Sequence, residues 1–377
     1  MKRKVIIHAG MHKTGTSYIQ NAIYDNREKL RPLGFYYPET GLVKSNPQVG
    51  FRHFPLKVSL TEERESALSL RLLKEEIEAS GCDRIVISYE GFLNADLPAE
   101  TLLNGFAEYD LRVIAYVRSP VDYIESKYRE WVRRVNYSGE MSDFLRSQRR
   151  FLNYGRLFRP WMDALGERLV VKSFENSGKG IDLFNDFVRT CGYDGPIPEL
   201  AKVTEENFRA TNDYILSKLY ANKLRLAGRT VSSTLIEGNE YFYGSNGGRL
   251  LSDEELAHVQ AEFEPGYREI LSHIGEDPDI ERSSYKKKPM DTAFHDPEVR
   301  KAVLGHVETL IERHRGEAER KLARSEAKRM KQVEKARRLA EEREKSAALS
   351  REPLPASRKP EPQWNPVRWW RKAIGRV

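Results

Sequence analysis

Glycine, lysine and hydroxyl residues crowd one stretch near the N-terminus, Gly10-Met11-His12-Lys13-Thr14-Gly15-Thr16-Ser17, directly after the apolar, β-branched run Lys4 to Ala9. A strand that breaks into a glycine-containing turn and reopens as a helix gathers backbone amides and a helix N-terminus around one point, which is how chains cradle a phosphate. The two glycines have the spacing of a nucleoside-triphosphate loop, but such a loop carries Lys then Ser/Thr immediately after its second glycine. Here those positions are Thr16 and Ser17, and the lysine, Lys13, stands upstream of Gly15. The ammonium therefore meets a bound anion from another side, a geometry suited to a different leaving group. The plainer alternative is an ordinary strand-to-helix turn with a surface lysine.

A second constellation follows the run Leu111 to Val117, where Arg118 leaves the end of an expected strand and Ser119-Pro120 opens a helix. Ser126 lies about two turns into that helix, so it can face the pocket that Arg118 faces. A guanidinium fork with an added hydroxyl donor is a phosphate clamp; an Arg alone at a strand end more often makes a structural ion pair. Lys13, Glu90 and Arg118 each stand at or just past the end of a different expected strand.

The elements that position these groups alternate. Strands are expected at Lys4 to Ala9, Arg84 to Glu90, Leu111 to Val117 and Arg168 to Lys172, with helices from Thr16 to Leu30, Thr61 to Ala79, Val121 to Val135, Asn153 to Leu165 and Ile181 to Cys191. Residues 35–57 read as an irregular loop. Strands apolar throughout, each followed by a helix, imply an α/β fold: a P-loop-like parallel sheet flanked by helices on both faces, with ligands at the strands' carboxyl ends. From about residue 204 the pattern becomes helical, Thr204 to Gly228 and Ser252 to Ile274, the latter opened by the capping box Ser252/Glu255. Residues 236–248 read as a loop or hairpin. Asp296-Pro297 then starts a long charged C-terminal helix to about Lys345, a solvated arm or weak coiled coil. The expected division is an α/β domain over 1–295, the charged helix over 296–350, and a Pro-rich linker with a basic Trp-rich tail over 351–377.

The segment His8 to Ser17, together with Val117-Arg-Ser-Pro-x-Asp-Tyr-x-x-Ser126, resembles the two cofactor motifs of the sulfotransferases that use 3′-phosphoadenosine 5′-phosphosulfate (PAPS). The bacterial branch is closest in flavour, through Lys-Thr-Gly-Thr-Ser and Ser88-Tyr89-Glu90. The resemblance covers roughly Lys4 to Cys191 and implies the following. Backbone amides of Thr14, Gly15 and Thr16 and the hydroxyls of Thr16 and Ser17 hold the 5′-phosphate. Lys13 touches the oxygen bridging phosphorus and sulfur, and Arg118 and Ser126 hold the 3′-phosphate, with no metal required. A base for the acceptor hydroxyl is then sought. Glu90 sits where cytosolic members place a catalytic histidine, and His53 lies in the loop that would roof the acceptor site with a suitable unperturbed pKa. Glu39 is a remote third candidate, while His8 and His12 flank the loop as structural residues.

Among the chain's 377 residues, 39% are hydrophobic and 32% charged, with net charge +7 and pI near 9.1. The excess of charge falls largely between Glu312 and Lys345, so the remainder has the composition of an ordinary enzyme-sized domain. The basic balance admits anionic partners without selecting one. Cys82 and Cys191 have no metal or redox spacing, and no run is long enough to span a bilayer. The expectations are a cytoplasmic protein, a saccharide or glycolipid acceptor and no nucleic-acid partner. The Trp364 to Val377 tail suits an anionic membrane surface, and the C-terminal helix suits self-association. The alternatives are a P-loop kinase and a non-catalytic nucleotide-binding scaffold working through its arm and tail.

Overall fold

The computed structural model describes residues 2–46, 49–61, 63–93, 97–200, 211–226 and 248–349. The expected loop or hairpin at 236–247, the start of the helix expected from Thr204, the Pro-rich linker and the Trp-rich tail lie outside the described residues.

Strand β1 (Lys4–His8) leads into helix α1 (Thr16–Asp25). Asn26 ends α1 by donating its side-chain amide to Ala22 O (2.9 Å), so the helix expected to reach Leu30 is broken, resuming only as the turn Arg27–Leu30. Residues 35–57, expected to be irregular, instead hold the edge strand β2 (Phe35–Tyr36), the antiparallel pair β3 (Val43–Asn46) and β4 (Val49–Arg52), and the start of helix α2 (Phe54–Thr61). Thr61, expected as a cap, is the last residue of α2, and α3 begins at Glu63 (Glu63–Ser80), with Gly81 (φ 70°) after its end.

Strand β5 (Arg84–Ser88), helix α4 (Ala99–Gly105), strand β6 (Asp110–Val117) and helix α5 (Pro120–Glu130) come next. A π-helical turn, Trp131–Val135, continues α5 and ends at Asn136 in left-handed conformation (φ 58°). Helices α6 (Met141–Leu152) and α7 (Tyr154–Leu165), strand β7 (Leu169–Ser173) and helix α8 (Ile181–Thr190) complete the α/β part. Helices α4 and α6 have no counterpart among the sequence expectations.

All five strands of the main sheet are parallel, in the order β2-β5-β1-β6-β7. Side chains alternate across it as the strand period requires. Val5, Ile7, Ile85, Ile87, Val113 and Ala115 face the larger core with α2 to α7, whereas Ile6, Val86, Ile114 and Tyr116 face the smaller core with α1 and α8. Helices therefore cover both faces, as the uninterrupted apolar strands imply. Because β5 and β6 pair on opposite sides of β1, the winding reverses there, and the crevice past the C-terminal end of β1 is where such sheets bind ligands.

Helices α9 (Asn212–Leu226) and α10 (Asp253–His273) follow, α10 opened by the reciprocal Ser252/Glu255 capping box. Helix α11 (Pro297–Leu349) starts with Asp296 Oδ1 accepting from the amides of Glu298 and Val299 (2.7 and 3.1 Å). The chain divides into one compact unit through Ile311, in which Val303 and Val307 are buried, and a second from Glu312 onward, where Arg315 and Glu319 pair at i,i+4 spacing (3.0 Å). Among the described residues no helix is long and apolar enough to cross a membrane.

Candidate functional site

Past His8 the chain stays on the sheet briefly: Ala9 N donates to Ile114 O (2.9 Å) and Met11 N to Tyr116 O (3.3 Å). It then turns sharply, pinned by Thr14 Oγ1 donating to Met11 O (2.6 Å). The turn needs left-handed backbone at Lys13 (φ 69°) and Gly15 (φ 74°). Only glycine fits at 15, since a Cβ there lies 2.3 Å from Leu183 Cδ2. At Lys13 the same conformation costs about 1–3 kcal/mol and persists where surrounding contacts impose it. One such contact is Arg118, whose Nη1 donates to Lys13 O (2.9 Å).

This turn aims amides outward. The backbone N–H groups of Gly15, Thr16 and Ser17 donate to no protein acceptor among the described residues, and the first turn of α1 carries no acidic side chain. Thr16 is buried and Ser17 exposed. With the helix dipole behind them, these donors form a site complementary to an anion.

Cations gather at its rim. The Lys13 ammonium lies 3.6 Å from Glu130 Oε1 on α5. Burial lowers its pKa, and Glu130 opposes that shift. Arg118 is largely buried beneath the turn, with Phe174 under its guanidinium (5.3 Å) and Asp122 and Glu175 at 3.7 and 3.9 Å. Its fork is thus partly engaged in holding the loop, while its Nε is buried without a hydrogen-bond partner among the described residues. Ser126 is half-buried on α5, one turn from Asp122 and one from Glu130.

Helix α5 is anchored from behind. Buried Asp122 accepts from Ser283 Oγ (2.7 Å), Ser284 N (3.0 Å) and Tyr285 N (2.9 Å), and buried Glu125 from the amides of Leu250 and Leu251 (2.5 and 2.9 Å). Segments far along the chain thereby fix the helix that carries the site, a dependence absent from the local motif.

Glu90 stands just past β5 beside the loop. Its Oε1 accepts from Arg52 Nη1 (2.7 Å) and lies 3.8 Å from His12 Nδ1, while Gln20 Nε2 reaches its other oxygen at 3.4 Å. His53 lies elsewhere than its expected role requires. It is fully buried beneath Tyr37, Nδ1 accepts from Ser88 N (3.1 Å), and Nε2 therefore carries the proton donated to Pro38 O (2.9 Å). Burial lowers its pKa to about 4. The neutral ring bridges two backbone segments. Glu39 is exposed, with its amide on Glu76 (2.6 Å). His8 is buried against Ser88 Oγ (2.8 Å), and burial takes its pKa to about 3. Burial, then Lys127, takes His12 to about 4.

The structure adds a residue that sequence reasoning passed over. Lys127 on α5 is 7% exposed, and its charge is felt by His12 and acted on by Glu130, Lys13 and Glu90. Its only sequence signal is its place beside Ser126. Lys13, Lys127 and Arg134 outweigh burial at Glu130 and hold that carboxyl below the usual carboxylate range. The crevice thus joins loop amides, at least three cationic side chains and one carboxylate past the neighbouring strand.

No family model matches the chain, and no curated protein matches it. Among solved structures it is similar to a sulfotransferase from Alicyclobacillus acidocaldarius at TM-score 0.38 and 14% identity, over 62% of this chain and 99% of that one.

Proposed function

We propose that this chain is a sulfotransferase moving a sulfuryl group from PAPS to a hydroxyl acceptor, a saccharide or glycolipid. The observation that carries the reading is the position of Lys13: left-handed backbone and the bond from Arg118 fix it before the second glycine, at the rim of the unpaired amides. Support comes also from the resemblance of both motifs.

The donor brings the activated sulfuryl group. The amides of Gly15, Thr16 and Ser17 and the hydroxyls of Thr16 and Ser17 hold its 5′-phosphate, Thr14 acting through its backbone because its hydroxyl closes the turn. Lys13 stabilises charge on the bridging oxygen. Arg118 and Ser126 bind the 3′-phosphate. Glu90, held beside the loop by Arg52, takes the acceptor's proton as the new S–O bond forms; both nitrogens of His53 are already committed to backbone. Because the transition state of such a transfer is loose, positioning and electrostatic stabilisation supply most of the rate.

Calorimetric titration with adenosine 3′,5′-bisphosphate and with ATP, each with and without Mg²⁺, tests this reading. Metal-independent binding of the bisphosphate in preference to ATP is expected. Mg²⁺-dependent preference for ATP overturns it in favour of a kinase.

A further inference from the structure

Gln20 lies in the second turn of α1 and is fully buried where that helix meets the end of β5. Its amide spans two groups there. Nε2 donates to Ser88 Oγ (3.2 Å) and to Glu90 Oε2 (3.4 Å), which uses both of its protons. Ser88 Oγ is also paired with His8 Nδ1 (2.8 Å), and the other oxygen of Glu90 accepts from Arg52 Nη1 (2.7 Å). An ionised carboxylate only accepts, so the network fixes which end of the amide faces Glu90. The opposite end is stranded: Gln20 Oε1 is buried without a hydrogen-bond partner among the described residues.

A buried acceptor without a partner is destabilising, and in a folded protein it calls for a reason. Packing supplies none, because methionine or leucine fills a similar volume and strands no polar atom. The reason lies at the donor end of the same amide. We infer that Gln20 is a positioning residue for Glu90. Arg52 at the end of β4 holds one carboxylate oxygen and Gln20 on α1 holds the other, so the carboxylate is tied to two elements and keeps one orientation towards the acceptor hydroxyl. This assignment rests on the sulfotransferase reading, in which Glu90 takes the acceptor's proton. Gln20 touches no substrate and exchanges no proton. Its place on α1 adds a second consequence, because Thr16 and Ser17, assigned above to the donor's 5′-phosphate, open the same helix. One helix thereby references the base to the donor, the alignment on which a transfer with a loose transition state depends.

A double-mutant cycle on full-length protein tests the inference, using wild type, Gln20→Met, Gln20→Leu, Glu90→Gln and Gln20→Met combined with Glu90→Gln. The readout is release of adenosine 3′,5′-bisphosphate from PAPS, with methyl β-glucoside and octyl β-glucoside as acceptors and water serving where neither is taken. Gln20→Met and Gln20→Leu should each lower kcat about 10- to 100-fold, the scale of one hydrogen bond to a charged group. The KM for PAPS and the calorimetric affinity for the bisphosphate should stay within about twofold of wild type, since the donor contacts are untouched. In the Glu90→Gln background Gln20→Met should change kcat by less than about twofold, because a residue that acts through Glu90 has nothing left to position. Both single Gln20 variants should melt at or above the wild-type temperature, each having removed the stranded acceptor. Equal fold losses in the two backgrounds overturn the assignment, as does unchanged kcat in both Gln20 variants. A loss of bisphosphate affinity that matches the loss of kcat also overturns it, and moves Gln20 to the donor site. If wild type releases no bisphosphate, the sulfotransferase reading itself falls.

Discussion

Lys13 and Glu90 divide the proposed chemistry between charge stabilisation and proton transfer, and each division has a kinetic signature. Lys13→Ala should lower kcat by about 10²- to 10³-fold, the usual cost of removing one preorganised partner of developing charge. Binding of the bisphosphate, read by calorimetry, should change much less. Glu90→Gln keeps the shape and removes the base, so kcat should drop by about 10²- to 10⁴-fold. A Glu90→Gln enzyme with full turnover on its acceptor removes that carboxylate from the mechanism. Lys13 and Glu90 could be read from the sequence because each sits at a strand end, and strand ends are visible as apolar runs that stop. The state of His53 could not. Its neutrality follows from Pro38 O and Ser88 N, contacts that exist only once the segments that follow β2 and β4 meet the end of β5. Lys127 was illegible for a related reason: α5 buries Asp122, Glu125 and Lys127 together, defeating the rule that charged positions mark a helix's wet face.

Two elements carry consequences for stability. The reciprocal capping box at Ser252 and Glu255 starts α10, so Ser252→Ala should cost about 1 kcal/mol, measurable as a shift in urea midpoint at unchanged slope. The acid side depends on the elements around β5, which enclose His8 and His53 as neutral rings with pKa values near 3 and 4. Unfolded, both histidines take up protons below about pH 6.5, whereas the folded forms resist. The unfolded state then binds more protons, so the contribution of these two rings to stability is constant above about pH 6.5 and falls as pH drops from there towards 4. Each ring should contribute a slope of up to about 1.4 kcal/mol per pH unit, which denaturant titrations at pH 7 and pH 5 can measure. The alternation of strands and helices was visible from sequence, since burial on both sheet faces writes itself as continuous β-branched runs. The short strands and α2 within residues 35–61 were hidden, because they are built by pairing and packing rather than by a periodic stripe of their own.

At the scale of the molecule, the unit ending at Ile311 contains every residue assigned here to binding or catalysis. The residues from Glu312 onward are charged, and the sequence ends in a basic segment rich in tryptophan. We propose an anionic membrane surface as the partner of that segment. Deleting residues 351–377 should release the protein from anionic vesicles in a flotation assay and leave turnover on a soluble acceptor unchanged. A full-length chain that ignores such vesicles ends this proposal.

The bond from Arg118 to the carbonyl of Lys13 joins what the motifs present as two separate sites. Arg118 belongs to the end of β6 and Lys13 to the turn after β1, so a phosphate that draws the guanidinium toward itself also pulls on the peptide that sets where the Lys13 ammonium stands. In the proposed donor complex the two ends of the nucleotide would then be mechanically coupled through one hydrogen bond, its sugar end acting as a lever on its sulfur end. A donor stripped of its 3′-phosphate would lose alignment as well as affinity, making this arrangement a built-in gauge of whether the whole donor is present before transfer begins.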